Sequence, residues 1–328
     1  MMKITKAIRT LIIASITSGV LLAAAQQATT PTPPAWAFPV NPPAQPGARG
    51  AAPAPAAAAP EAARSLPGST VAMMPSQTRD LFNVGDWHPE NHPAAPDIVL
   101  KGRRPDVRAC GYCHLPNGQG RPENSSLAGQ PAAYIMQQMA DFKNGLRKSS
   151  EPRMGPPGAM LALAKAATDE DNRPAAEYFA SFKYTKWIRV VETNSAPRTK
   201  VQSSMWVADQ GSEPIGNRIV EVPENIERTD LRDSSSGFVA YVPVGSIKKG
   251  QAISQTGRCG ICHGSDLKGL GPVPALAGRS PSYMARQLFD FKTGNRKGVW
   301  SDLMKATVAQ MTEDDLVSIS AYLASLEP

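Results

Sequence analysis

Cys110-Gly-Tyr-Cys113-His114 and Cys259-Gly-Ile-Cys262-His263 together hold all four cysteines of the chain and two of its four histidines. With so few of either residue, a chance C-x-x-C-H match is expected on the order of 10⁻³ times in a chain of this length, and two matches far less often. The pattern predicts covalent attachment of a haem c at each motif, with two thiols adding to the vinyl groups and the adjacent imidazole ligating iron. The spacing has a physical cause. Positions i, i+3 and i+4 of a helical turn share one face, so both sulfurs and a ring nitrogen converge on one macrocycle. Disulfides, a redox-active dithiol or a zinc site would draw on the same cysteines. Neither a disulfide nor a dithiol accounts for a histidine directly after each second cysteine, and one zinc site would have to join motifs 149 positions apart.

At that constant offset of 149, Leu127-Ala128-Gly129 also falls on Leu276-Ala277-Gly278, Tyr134 on Tyr283, Gln138 on Gln287 and Asp141-Phe142-Lys143 on Asp290-Phe291-Lys292. Gly145 falls on Gly294, and Arg147-Lys148 on Arg296-Lys297. The chain is a duplicated module, each copy large enough to wrap one haem. In both copies a helix is expected from Pro131 or Pro281 to about Gly145 or Gly294, with basic residues at its end. A later helix begins at Thr168-Asp169-Glu170-Asp171 and at Thr312-Glu313-Asp314-Asp315, with threonine as N-cap and acids in the first turn.

An iron that carries electrons without binding small molecules needs a sixth ligand, and methionine is the expected one. Eight residues before each of those threonines stand Met160 and Met304. The first copy has five extra residues ahead of its methionine, and Met154 in that loop is the alternative ligand. Met311 precedes an N-cap, where it would staple onto Leu316.

Thirty-one prolines among 328 residues, against eight phenylalanines and seven tyrosines, describe globular parts diluted by a poorly structured stretch. Residues 1–25 carry Lys3, Lys6 and Arg9 before the apolar run "LIIASITSGVLLAAA", a secretory signal that places the remainder in the periplasm. An uncleaved N-terminus, or a membrane-bound partner, would instead hold the chain at the membrane. Removing three cations from the formal +7 leaves +4, too weak to mark a nucleic-acid surface. Residues 26–95, rich in alanine and proline, read as a disordered spacer.

These residues resemble the diheme cytochrome c4 family, whose modules carry C-x-x-C-H, a "LAGQ...Y...Q...DFK.G.R" stretch and a ligand methionine ahead of an acid-rich helix. The resemblance implies an all-α fold of two tandem cytochrome c domains, at residues 96–186 and 243–328. It implies Cys110, Cys113, Cys259 and Cys262 as thioether anchors, and His114/Met160 and His263/Met304 as axial pairs. It implies electron shuttling between a dehydrogenase or respiratory complex and a terminal oxidase.

The chain departs from the family in three places. Ser125 stands where the second copy has Pro274, whose carbonyl in the family holds the proximal imidazole; a carbonyl is still available there, so the contact is expected to survive in the first copy with altered geometry. Pro105 interrupts the helix that should precede Cys110, whereas Ser246 to Thr256 can form one, which predicts a looser first module. Residues 187–242 replace a short linker, and "WIRVVE", "RIVEVP" and "GFVAYVP" within them predict a small β-hairpin bracing the domains, with a partner-docking element as the alternative.

Ligand counting weighs a carrier against a diheme enzyme. A bacterial-type peroxidase needs a further histidine ligand, and none lies between His114 and His263. His88 and His92, in "DWHPENHP", read as solvated loop residues. A sulfur-compound dehydrogenase with a cysteine axial ligand would need a fifth cysteine. No catalytic residue is assigned. The matched clusters Lys143/Arg147/Lys148 and Lys292/Arg296/Lys297 read as helix ends or as a docking charge for a redox partner.

Overall fold

The computed structural model describes residues 31–43 and 61–328, so the expected signal and residues 26–30 and 44–60 of the spacer lie outside the described part. Ahead of the first motif run a two-residue ladder, β1 (Arg64–Ser65) with β2 (Ala72–Met73), and a single-turn helix, α1 (Asp97–Leu100). The first module follows as α2 (Cys110–His114), α3 (Ala132–Lys143), α4 (Gly155–Ala166) and α5 (Asp169–Ala180). The insert carries β3 (Ile188–Thr193), β4 (Ser195–Gln202), β5 (Met205–Pro214), β6 (Val220–Pro223), α6 (Ile226–Asp230) and β7 (Phe238–Pro243). The second module is α7 (Ser246–Thr256), α8 (Gly260–His263), α9 (Pro281–Lys292), α10 (Ser301–Val308) and α11 (Glu313–Ser325).

Local chemistry sets these boundaries. Helices α3 and α9 end where Gly145 and Gly294 take φ of +67° and +73°, values that cost L-residues energy and glycine little. Thr168 and Thr312 form matching capping boxes, each hydroxyl accepting from the backbone N–H of Asp171 or Asp315 while that carboxylate accepts from the cap's own N–H. Met311 packs with the cluster that contains Leu316, the staple expected of it.

The all-α expectation is overturned: the described residues mix helices with three small sheets. The β-branched stretches of the insert form a three-stranded sheet ordered β3-β7-β6, with β7 parallel to β3 and antiparallel to β6. Parallel pairing needs a long crossover. Here the crossover holds β6, α6 and a separate antiparallel hairpin, β4 with β5. One face of the sheet buries Ile188, Phe238, Ala240 and Val242 against Ala285 of α9 and Val317 and Ala321 of α11.

The spacer reading is corrected as well. Trp36-Ala37-Phe38 docks on the second module, with Phe38 edge-on to Phe289 at 5.9 Å and the Trp36 indole N–H donating to Glu313 at 2.6 Å. Trp87 is buried, and its indole N–H donates to the Leu231 carbonyl at 2.7 Å. A few aromatic side chains in a Pro-rich stretch bury enough area to offset its ordering entropy.

Candidate haem sites

In α2 the helical turn carries Cys110, Cys113 and His114, and Leu115 ends it at φ +63°. The His114 ring is buried, and its Nδ1–H donates to the Ser125 carbonyl at 2.8 Å, eleven residues on. His263 repeats this with the Pro274 carbonyl, also at 2.8 Å and eleven residues on. The contact at Ser125 therefore survives, as expected, but at the same length as its counterpart, because a backbone carbonyl does not depend on which side chain accompanies it. Burial pushes both imidazoles below their ordinary pKa and keeps them neutral. With Nδ1 committed, each ring presents the Nε2 lone pair, the form in which histidine ligates a metal.

The four cysteines are unpaired, which removes the disulfide reading. Burial pushes the Cys110 thiol up to about 12 and raises Cys113 and Cys259, unlike the depressed thiol of a redox-active dithiol.

Met160, on α4, lines the same cleft as His114, together with Ile135, Met139 and Phe142. Met154, the alternative, caps that helix and is buried in a different apolar cluster with Phe38, Phe289 and Leu316. Met304 lies half-buried on α10. A larger cavity of about 940 Å³, between residues 182–190 and 224–237, holds none of the eight cysteine, histidine and methionine residues of the motifs and their expected ligands.

The clusters read as docking charge divide. Lys143, Lys148, Lys292 and Lys297 reach solvent in part or in full, whereas Arg147 and Arg296 are each 7% exposed and meet between the modules. Lys148 N–H donates to the Asn295 carbonyl and Lys297 N–H to the Leu146 carbonyl, both at 2.8 Å, closing an antiparallel bridge around the two arginines. Arg147 donates to Tyr283, Gln287 and Gln138, and Arg296 to Tyr134, Gln138 and Gln287. Every partner is a repeated residue. Spacing revealed the repeat, but not that its two copies face one another.

Arg147 and Arg286 line the first cleft, yet the ion pairs among the described residues include neither of them. The Glu123 and Asp290 carboxylates line the same cleft, and the two guanidinium groups could in addition receive the propionates of a haem. The donor set of paired thiols, neutral imidazole and thioether fits haem c as well.

The loops after the two histidines differ. In the first module Gln119 and Arg121 are buried against residues 229–236 of the insert, and Glu123, paired with Arg121, is buried as well. Arg232 stacks on the Tyr112 ring at 3.7 Å and donates to its carbonyl at 2.6 Å. Asn117 and Gln119 donate to the Ser234 and Ser236 carbonyls, and Arg121 to that of Thr229. In the second module Ile261 is 68% and Leu270 59% exposed. The expectation of a looser first module is thus reversed: the insert and residues 81–95 take the place of the missing helix, with the Leu81 carbonyl accepting from Ala109 N–H at 2.9 Å.

The solvated reading of the two upstream histidines is corrected too. His88 is buried and its Nε2 meets Asp233 at 3.0 Å; His92 Nε2 meets Asp86 at 2.8 Å.

Fold and site together define a c-type cytochrome with two haem c sites, at Cys110/Cys113 and Cys259/Cys262. The cytochrome c family profile matches residues 247–327. Cytochrome c-554(548) of Halomonas halodenitrificans is 36% identical over 72 residues, 22% of this chain and 87% of that protein. Cytochrome c4 of Azotobacter vinelandii is 26% identical over 222 residues, 66% of this chain and 84% of that one. A thiosulfate dehydrogenase electron acceptor of Stutzerimonas stutzeri strain A1501 is 25% identical, covering 69% of this chain and 82% of that one. The chain belongs to the diheme cytochrome c4-like family and is an electron-transfer protein.

Proposed function

We propose that the chain is an exported single-electron carrier in which His114 and Met160 ligate one iron and His263 and Met304 the other. The observation that carries this reading is the pair of imidazole–carbonyl bonds, 2.8 Å in both modules, which fix each ring with Nε2 bare. Sharing a cleft with His114 supports Met160, and standing eight residues before a matching N-cap supports Met304. When bound, haem supplies a one-electron couple whose potential methionine sulfur raises relative to a second histidine. The chain's own part is to keep each imidazole neutral and oriented, line the cleft with apolar side chains, and face it with guanidinium groups.

Were His114 with Met160 and His263 with Met304 to hold the two irons, no position would remain open for a substrate, which favours a carrier over a peroxidase or sulfur-compound dehydrogenase. Likeness to an electron acceptor of a thiosulfate dehydrogenase supports a dehydrogenase as donor, with a respiratory complex or terminal oxidase as acceptor. The charged and apolar run of residues 1–25 supports the periplasm. No described helix is long and apolar enough to cross a membrane.

The optical spectrum of the purified ferric protein tests this reading. Two low-spin haems per chain are expected, with the weak long-wavelength band of methionine sulfur on ferric iron, and Met160→Ala and Met304→Ala each remove about half of that band. A high-spin or bis-histidine haem overturns it, and peroxide turnover is then the activity to measure.

A further inference from the structure

Resting on the carrier reading, we infer that Arg286, a residue of the second module, raises the reduction potential of the first haem above that of the second. An electron shared between the two then resides on the first.

Helix α9 serves both sites. Met284 and Leu288 pack with Ile319, Leu323 and Cys259 in the second module's own core. Tyr283, Arg286, Gln287 and Asp290, spaced i, i+3, i+4 and i+7, line the cleft of His114 and Met160. Arg286 is 4% exposed, and its guanidinium donates to the Ala37 carbonyl at 2.8 Å and to the Pro122 carbonyl. Both acceptors are neutral, so they fix the group without cancelling its charge. Burial lowers the Arg286 pKa, yet a guanidinium stays protonated in proteins. A fixed positive charge in a low-dielectric cleft favours the reduced state of the centre beside it.

The second site lacks this charge. At the offset of 149 the counterpart of Arg286 is Gln137, which is neutral and donates to Asp141 at 2.9 Å. The other charges of the cleft largely repeat: Arg147 with Arg296, Lys148 with Lys297, and Asp290 with Asp141. Glu123 falls on Pro272, but its carboxylate is paired with Arg121 at 2.5 Å. Glu221, whose charge would oppose that of Arg286, is 2% exposed and accepts from Ser280 and Ser282, and burial pushes its pKa up toward the neutral form. Shielding acts in the same direction as Arg286. Residues 229–236 cap the turn of α2, with Arg232 over the Tyr112 ring at 3.7 Å, whereas Ile261, at the position of Tyr112, is 68% exposed. Exclusion of water disfavours the ferric charge.

A spectroelectrochemical titration of the haem-loaded full chain tests the inference. Met160→Ala removes the first haem's methionine band, so the band that remains reports the second haem's potential and assigns the two wild-type steps. The wild type is expected to reduce its first haem before its second. Arg286→Gln is expected to shift electron sharing about tenfold toward the second haem, about 59 mV for a one-electron couple, by lowering the first potential alone. Arg286→Lys, which keeps the charge but not the fork of donors, stays within about threefold of the wild type. Should Arg286→Gln not fold, the wild-type order and the lysine variant decide.

A second haem that reduces first, an equal lowering of both potentials by Arg286→Gln, or a loss in Arg286→Lys as large as in Arg286→Gln overturns the inference while the carrier reading stands. A ferric protein with no methionine band removes the carrier reading and the inference together.

Discussion

Around His114, residues 115–123 lie beneath the insert, bonded to it through Asn117, Gln119 and Arg121. Around His263 most of the matching residues reach solvent, Leu267 excepted, and Leu270, at the position of buried Arg121, is 59% exposed. Both turns have the same residue types at the same spacing, and both imidazoles donate to a carbonyl at 2.8 Å. What a motif fixes locally is therefore the orientation of the ligand. Its contact with the outside is fixed by an element more than a hundred residues away, and duplication can hold one constant while the other diverges.

The largest test of this contrast is the sheet that carries the cap. Phe238 is 1% exposed and edge-on to Trp187 at 5.4 Å. Phe238→Ala is expected to cost about 3–5 kcal/mol in chemical denaturation and to strip amide protection from 112–123. Retained protection there would mean that the cap holds without its sheet.

Next come two equivalent glycines. A Cβ at Gly111 would sit 2.8 Å from the Val99 carbonyl, whereas one at Gly260 meets nothing closer than 3.5 Å. Gly111→Ala should cost about 1–3 kcal/mol and lower haem content, with Gly260→Ala neutral or slightly stabilising. Equal losses would show that the two turns are not differently packed.

Where the modules are alike, their variants should be alike. Thr168→Ala and Thr312→Ala each remove one capping box and should each cost about 1 kcal/mol by thermal denaturation.

The smallest effect separates the modules by pH. The hydrogen bond to Asp86 raises the His92 pKa, burial opposes it, and the Pro93 carbonyl adds to the rise. A folded-state pKa above the unfolded value contributes stability that is fully present below the unfolded pKa and is lost as pH rises through the folded one. Between pH 6 and 8 the urea midpoint should therefore fall more in the wild type than in His92→Gln. A parallel pair of curves would show that the segment 81–95 is not held through this ion pair.

Much of the site was legible because its signals are local. Two motifs, two threonine caps and two terminating glycines recur at fixed spacing, and the helices follow them. The β-branched stretches also showed as strands, but β4 and β5 did not. "SAPRTKVQ" and "MWVADQGSEP" mix charged, small and proline residues with little apolar alternation, since most of the hairpin lies at the surface. Composition concealed Trp36, Phe38 and Trp87, because a window dominated by alanine and proline averages away the few side chains that dock. Arg147 and Arg296 were misplaced for a related reason. A basic residue after a helix suits the dipole and solvent, and nothing nearby in sequence reveals that its partners are a tyrosine and a glutamine of the other copy.

That seam has a consequence for how such a chain arises. Leu146 meets Lys297 where Asn295 meets Lys148, and Arg147 bonds Tyr283 where Arg296 bonds Tyr134. A contact in which each position meets the counterpart of its own partner is isologous, the kind that two identical subunits form about a two-fold axis. A single copy already holds everything this surface needs to pair with itself. Joining two copies in one polypeptide replaces dilution-sensitive dimerisation with an intramolecular encounter at high effective concentration. Once pairing no longer requires identical halves, one can acquire a cover while the other stays bare.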